Sequence, residues 1–545
     1  MTDVNISINT NHDASLTVVK DNELLVHLIE ERYRHLKHCA PPCYVLKELE
    51  KYVDHIDAIC FTDIHYKYAT TAFSVISSYL NCLSNVRVNC ISEGKHVHYL
   101  ISPEHHQLHT SCAFTHSGFD EAVCIVLDGA GATFDDGKEN QSIYECNKDG
   151  YTCIEKHFVD HTNIGVGYAY ASITQLLGFK SLDCGKTMGL SAYGKEDKNI
   201  PQLISIEDCA SKNFTLSKTK ALEHFGYTDC LLNERYWEVK PENIAYRIQK
   251  DYEDYLIATC KRVLSMSKSK NLILTGGCAL NCVANYKLLK TLPKDVNLYV
   301  EPISDDSGVS VGCAYHMSGV TDSKLKNLYL GSQLQYEYEL LGNNEIEYDV
   351  EPNHIAELIS LGNIVAIAQG RSEVGPRALG NRSLLFDPRV KDGKDIVNKI
   401  KNREYFRPFA GTVLKEYAKD YFDMDRLDES PFMMYAVDVL PHKRDEIPSI
   451  VHVDGTCRIQ TVTKEQNKNY YNLISEFYKL TGVPILFNTS FNLAGDTIVE
   501  TIDDAFFTIR NSDINYMYTP EVGKLISVPN NAGVKRKSRF VKGVV

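Results

Sequence analysis

Residues 4–29 read VNISINTNHDASLTVVKDNELLVHLI, and this stretch decides the fold class. Val4–Ile8 alternates apolar and polar side chains, as a strand with one buried face must. Asn9-Thr10-Asn11-His12-Asp13 is a polar turn, Ser15–Val19 a second strand, Lys20-Asp21-Asn22-Glu23 a second turn and Leu24–Ile29 a third strand. The opening recurs. Ala122–Asp128 leads through Gly129-Ala130-Gly131-Ala132-Thr133 to Gln141–Glu145. Two such openings in one chain point to a duplicated α/β domain with a ligand held between its halves.

Outward from these openings, helix and strand alternate. Cys43–Val53 and Thr70–Asn85 carry helical spacing, Ile56–Thr62 reads as a strand, and Gly165–Leu177 and Pro241–Ser265 read as helices. Leu272–Leu274 is a buried strand running through Thr275-Gly276-Gly277 into a helix at Ala279–Leu289, and Leu298–Ile303 then Gly308–His316 repeat strand and helix. A polar patch near residues 317–350, closed by Pro352, marks a boundary. Single cores stop growing at roughly 250–300 residues, so a chain of 545 splits into two units, 1–345 and 350–545. The second has elements expected at Ile355–Leu361, Ile364–Gln369, Val451–His452, Val483–Leu486 and Asp503–Arg510. The basic tail from Lys524 reads as a loosely held extension or a wrap around the other unit.

Lys and Arg number 58 against 71 Asp and Glu, a formal net charge of −13. That balance argues against a duplex-binding surface, and no large nucleic acid is expected as a partner, although a nucleotide pocket fits within an acidic chain. No run approaches the roughly 18 apolar residues of a membrane span. Asp3 stands where a signal peptide needs positive charge. The seventeen cysteines form no CxxC pair and sit in apolar runs, as reduced core thiols of a cytoplasmic protein do.

His105 and His109 are the clearest constellation. A helix over 102–115, with Ser102 as cap and Pro103 at its first position, puts both imidazoles on one face, one turn apart. That is the geometry of a metal-ligand pair and equally of a hydrogen-bonded surface pair. Asp128 ends a strand before Gly-Ala-Gly, and Asp305 and Asp306 follow Leu298–Ile303, so these carboxylates project where sheets bind ligands. Nitrogen and oxygen donors together favour iron or manganese over a soft-ligand zinc site. Gly276 and Gly277 allow close approach to an anion or nucleotide at a helix start, and Lys186 in Gly185–Leu190 is either a phosphate contact or a solvated lysine. His12 is a proton acceptor or a satisfied turn residue. In the second unit Arg371, Arg377, Arg382, Arg389, Lys401, Arg403 and Arg407 crowd together, near Arg458 and the run Asn488-Thr489-Ser490-Phe491-Asn492. Guanidinium forks match phosphate oxygens, which suggests a pocket for a phosphorylated small molecule; surface salt bridges are the alternative.

The runs EHHQLHTSCAF, VLDGAG, GKTMGLSAYG, LTGGCALNCVAN, QGRSEVGPRALGNRSLLFDPR, KNREYFRPFAG, HVDGTCRIQTV and GVPILFNTSFN stand in one order over nearly the whole chain. In them the sequence resembles the NodU/CmcH-type O-carbamoyltransferases. The resemblance implies an N-terminal duplicated actin-like ATPase (Kae1-like) fold and a C-terminal YrdC-like α/β domain. It implies use of ATP and carbamoyl phosphate: the C-terminal domain would make carbamoyl-AMP and pyrophosphate, and the N-terminal domain would pass the carbamoyl group to a hydroxyl of a small molecule, with AMP leaving. The family's metal ligands fall on His105, His109, Asp128 and, by its DxG pattern, Asp306, with Fe2+ as the expected ion and Mg2+ accompanying ATP. His12 takes the place of the histidine beside the reacting carbamoyl group. Gly276, Gly277 and Asn281 would line the nucleotide site with Lys186. Arg377, Lys401, Arg458, Asn488 and Ser490, with Arg382 nearby, fall on positions tied to carbamoyl phosphate or nucleotide.

The chemistry is coherent with the residues. Carbamate is a poor electrophile, and adenylation gives it a leaving group that cations and oriented N–H groups stabilise. The sequence departs from the family at Cys184, where an acidic residue usually precedes the Gly-Lys pair, at Gly411 in place of proline, and at Asp496-Thr497 in place of Glu-Pro. The acceptor is expected to be a sugar, a natural product or a hydroxymethylated nucleotide, and a homodimer is plausible for the family. Two other readings stay open here: a threonylcarbamoyl-type transferase acting on a nucleoside or tRNA, and a nucleotide-hydrolysing ATPase of the sugar-kinase or chaperone type. Lys37, His38 and Tyr68 are candidate acceptor contacts or plain surface residues.

Overall fold

Alternating strands of residues 4–29 pair with their neighbours in the chain, because short polar turns bring each strand back beside the last. The computed structural model describes residues 3–62, 104–159, 164–204, 239–336 and 346–527, with the backbone pairing of Arg87–Val88. The expected helix Thr70–Asn85 and Tyr68, Ser102 and Pro103 lie outside the described residues. One sheet runs Glu23–Ile29, Ser15–Lys20, Val4–Asn9, Ala58–Thr62: three antiparallel strands, then a parallel one. A second runs Gly150–Val159, Gly137–Asn147, Glu121–Leu127, Asn271–Thr275, Asn297–Val300, again antiparallel on one side of its first strand and parallel on the other. The duplication read from the two openings is thus visible as a repeated strand order. It has a functional consequence: His12 and Asp128 stand just past the ends of the two corresponding first strands.

Two helices pack between the sheets. His105–Ser117 is buried along nearly its whole length, and Ser307–Ser318 is rich in small residues. A Cβ on Gly312 would lie 1.8 Å from the Leu108 carbonyl oxygen, so this glycine lets the two helix backbones touch. Pro241–Met266 is one continuous helix begun by its proline. The helix expected from Ala279 begins later. A 3-10 turn spans Gly277–Leu280, and the Asn281 side chain then accepts from Ala284 N at 3.1 Å, capping Cys282–Thr291.

All described strands from residue 346 onward join one mixed sheet. Its order is Ile346–Glu347, Lys524–Ser527, Tyr516–Thr519, Val365–Ala368, Arg382–Phe386, Ile485–Ser490, Ala410–Leu414, Thr456–Val462, Ala436–Asp438. The start of the tail, Lys524–Ser527, is therefore a ladder strand rather than a loose extension. No strand forms at Val451–His452; His452 N donates to Thr456 O at 2.8 Å in a turn feeding the next strand. Gly185–Leu190 lies in the helix Cys184–Ser191. The largest apolar cluster runs from Val123 and Leu274 of the second sheet to Val365 and Ile485 of the mixed one. Among the described residues no helix is long and apolar enough to cross a membrane.

Candidate active site

The helix His105–Ser117 presents His105 and His109 one turn apart, and their Nε2 atoms lie 3.2 Å from each other. Asp128, released at the end of Glu121–Leu127, brings Oδ2 to 3.4 Å from His105 Nε2. Asp306, at the start of Ser307–Ser318, brings Oδ1 to 3.6 Å from His105 Nε2 and 3.7 Å from His109 Nε2. All four are buried, and their ligand atoms lie within 4.8 Å of one another. Two imidazoles and two carboxylates converging on one point fit a divalent cation, whose charge the carboxylates would neutralise. Asp305 does not share this point: its Oδ1 accepts from Ser307 N at 3.2 Å. Burial, then the charge of Asp13, pushes Asp305 up to about 7. Against the same push of burial, His105 and its neighbours hold Asp306 well below the usual carboxylate range.

His12 reaches this cluster from the other sheet. Its Nδ1 lies 3.1 Å from Asp13 and its Nε2 3.2 Å from Asp306 Oδ2. The hydrogen bond to Asp13, with the Asp306 charge, raises His12 to about 9 against burial. Asp13 also binds His38 Nδ1 at 2.7 Å, a contact that the sequence reading missed because the two lie 25 residues apart. Gly276 and Gly277 border Asp128. Gly276 has φ 85°, and a Cβ there would lie 2.4 Å from the Leu127 carbonyl oxygen; one on Gly277 would lie 3.2 Å from Asp128 Oδ1. Asn281 is committed to its helix cap and to Gln249, 2.9 Å away.

The cations of the second unit separate into two groups. Arg382 is fully buried, and its guanidinium donates to the carbonyl oxygens of Gln369, Gly370, Asn381 and Glu500 at 2.5–3.3 Å. This argues against its expected place in a phosphate pocket: each of its three guanidinium nitrogens donates to backbone. Arg371 donates from Nε to Gly331 O and from Nη2 to Leu25 O and Leu330 O, and Arg389 pairs with Asp387 at 2.7 Å. The others converge. Burial lowers Lys37, Arg377, Lys401, Arg403 and Arg407; neighbouring cations add to it, with Arg458 acting on Arg377, Arg403 and Arg407, while Glu31 opposes the shift of Lys37 and Glu404 that of Arg407. Lys401 is 1% exposed, and its ammonium donates to Ser490 O, Ser490 Oγ and Asn492 Oδ1, with no carboxylate among these partners. Nε of both Arg377 and Arg458 is buried with no partner.

Sheet register explains part of this convergence. Ala410 pairs with Asn488 on one side and Arg458 on the other, so their side chains share a face. Asn488 Nδ2 donates to Ala378 O, Thr412 Oγ1 and Gln460 Oε1 at 3.0–3.2 Å, while its Oδ1 is unpartnered. Arg377 Nη2 donates to Leu280 O at 3.3 Å, which ties the cation cluster to the Gly276–Gly277 turn. Lys186 Nζ lies 2.9 Å from Glu404 and 3.1 Å from Asp183; these two carboxylates orient it where Cys184 cannot. Lys37, Arg403 and Arg407 are the members the sequence underweighted. For Arg403 and Arg407 the signal is the run Lys401–Arg407, which reads as charge density; Lys37 has no local signal.

This arrangement defines an enzyme that handles phosphorylated, anionic substrates beside a divalent metal. Residues 5–315 match the family model for the carbamoyltransferase N-terminus and residues 356–523 that for the carbamoyltransferase C-terminus. The chain belongs to the carbamoyltransferase family, and it is an enzyme that uses ATP and carbamoyl phosphate to carbamoylate a hydroxyl of a small molecule. It is 32% identical to nodulation protein NolNO of Sinorhizobium fredii over 92% of this chain and 77% of that one. It is 31% identical to nodulation protein NolO of Bradyrhizobium diazoefficiens over 75% and 76%, and 31% identical to protein MJ1051 of Methanocaldococcus jannaschii over 94% and 97%. Among solved structures, the crystal structure of T.kodakarensis HypF aligns over 59% of this chain and 48% of that one, with 14% identity and a TM-score of 0.36.

Proposed function

We propose that the two charge sites divide one reaction, with 350–545 as a YrdC-like activating domain and 1–345 as a Kae1-like transfer domain. In the first, Arg377, Lys401 and Arg458 bind carbamoyl phosphate and the ATP phosphates, with Asn488 and Ser490 beside them. Water releases phosphate from carbamoyl phosphate; the carbamate oxygen then attacks the α-phosphorus of ATP, giving carbamoyl-AMP and pyrophosphate. The observation that carries this reading is the pair of buried, unpartnered Nε atoms on Arg377 and Arg458 inside a cluster of like charges, a field that a polyanion satisfies.

In the second domain the acceptor hydroxyl attacks the carbamoyl carbon, AMP departs, and His12 takes the hydroxyl proton. Gly276 and Gly277 let the nucleotide approach the strand ends beside Asp128. His105, His109, Asp128 and Asp306 would hold the ion, for which Fe2+ suits the nitrogen and oxygen donors, while Mg2+ would accompany ATP. When bound, that ion supplies positive charge that polarises phosphate or carbonyl oxygens and offsets the Asp306 charge now raising His12. The acceptor belongs to the sugars, natural products or hydroxymethylated nucleotides. A cytoplasmic homodimer completes the reading; it rests on the family resemblance and on buried free thiols such as Cys124, Cys146 and Cys260. The test is pyrophosphate release by purified protein given carbamoyl phosphate, ATP and ferrous ion; no pyrophosphate and no carbamoyl-AMP would refute it.

A further inference from the structure

The helix that carries His105 and His109 continues the same stripe. Cys112 and His116 follow at steps of three and four residues, so all four side chains lie on one face. The second pair meets Glu301, the residue after the strand Asn297–Val300. His116 Nδ1 lies 3.6 Å from Cys112 Sγ and 3.2 and 3.1 Å from the two Glu301 carboxylate oxygens. One ring nitrogen carries at most one proton, yet three electron-rich atoms face it. All three residues are buried, and their donor atoms lie within 4.8 Å of one another.

We propose that Cys112, His116 and Glu301 form a second metal site, distinct from the His105/His109 site, that binds a zinc-class divalent cation. Around a tetrahedral ion with Zn–S near 2.3 Å and Zn–N or Zn–O near 2.05 Å, neighbouring sulfur and nitrogen stand about 3.6 Å apart and nitrogen and oxygen about 3.3 Å. The observed separations match the first and approach the second. Charge balances too: a thiolate and a carboxylate neutralise a divalent ion, so the filled site suits a buried position. The outer partners are in place. Tyr315 OH lies 3.3 Å from His116 Nε2, leaving Nδ1 free to ligate, while Glu301 accepts from Tyr299 OH at 3.2 Å and Ile303 N at 2.9 Å. His27, buried with Nε2 unpartnered, is within electrostatic range of His116.

Thiolate is what distinguishes the two sites. The His105 set offers nitrogen and oxygen and suits a harder ion; the Cys112 set selects a zinc-class ion. Glu301 and Asp306 bracket one short segment, and their partners lie about 10 Å apart on one helix, at 1.5 Å per residue. A cation at Cys112 therefore clamps the Glu301–Asp306 segment to that helix and fixes Asp306. This last consequence rests on the proposed role of Asp306; the site itself does not.

The test is X-ray absorption at the zinc edge of the full-length protein, purified without chelator, with elemental analysis. We expect about one zinc per chain, with a single sulfur among nitrogen and oxygen neighbours. Cys112→Ser should lose that zinc and its sulfur signal, and His109→Ala should keep both. Cobalt-loaded wild type should show a thiolate-to-metal charge-transfer band that Cys112→Ser lacks. Absence of zinc, a shell of nitrogen and oxygen alone, or several sulfurs would each overturn the proposal. None of these readouts depends on carbamoylation, so failure of that reading would be seen separately.

Discussion

Lys401→Met removes a buried charge and keeps the side chain's length. Taking an ammonium out of water costs several kcal/mol, and here no carboxylate offsets it among its bonded partners. Of its three acceptors, Asn492 Oδ1 keeps the Ser490 hydroxyl as donor at 2.7 Å. Ser490 O likewise keeps the Asn492 N–H as donor at 3.0 Å, so the variant strands no acceptor and loses only hydrogen bonds to a charged group, at about 1.5–3 kcal/mol each. The two effects oppose each other, and the ligand-free variant should stay within about 2 kcal/mol of wild type. Losing a charged donor at the phosphate should instead slow pyrophosphate release about 10²–10³-fold. Carbamoyl phosphate at 100 times its Kd should stabilise wild type by about 2.7 kcal/mol, and the variant by far less. The pH dependence has a definite sign. Burial, then Arg403, Lys37 and Arg407, holds Lys401 well below the ordinary lysine value. Between that lowered value and about 10.4 the unfolded chain binds more protons than the folded one, so ligand-free stability rises with pH across this window. Lys401→Met removes its share of that rise. Urea unfolding with and without carbamoyl phosphate, beside a pyrophosphate assay, measures all of this. A variant that loses more than about 4 kcal/mol while its folded fraction works at the wild-type rate would refute the reasoning, because Lys401 would then be a structural strut.

Three further substitutions separate scaffold from chemistry. Arg382→Gln should cost more than about 3 kcal/mol in urea unfolding, since several buried carbonyls lose a donor, while KM for carbamoyl phosphate in the folded fraction stays at its wild-type value. Gly276→Ala forces a side chain into φ 85° and against Leu127 O, and should cost at least about 1–3 kcal/mol by the same assay. His12→Asn should reduce formation of carbamoylated product about 10²–10⁴-fold, with pyrophosphate release unchanged.

Much of the site was legible because its signals are local. Four-residue spacing placed His105 and His109 on one helix face, and a carboxylate directly after a strand announced Asp128. The repeated opening foretold the repeated strand order, since antiparallel neighbours are close in the chain. What escaped was tertiary. Arg377 and Arg382 look alike in sequence, yet one leaves a buried nitrogen unpartnered and the other caps backbone carbonyls. Local pattern cannot tell them apart, because the difference is one of tertiary placement: Arg377 lies in the loop Gly370–Asn381, and Arg382 opens the buried strand Arg382–Phe386. Lys37 joins Arg403 and Arg407 from more than 360 positions away, and spacing carries no trace of that. The strand at the start of the tail, Lys524–Ser527, escaped for a similar reason: it exists because Tyr516–Thr519 offers an edge to pair with.

The central claim is that activation and transfer occupy separate sites, and exchange of labelled pyrophosphate into ATP tests it most directly. Without any acceptor, and with carbamoyl phosphate present, wild type and His109→Ala should both catalyse exchange, while Lys401→Met should not. Exchange lost in His109→Ala but retained in Lys401→Met would contradict the account.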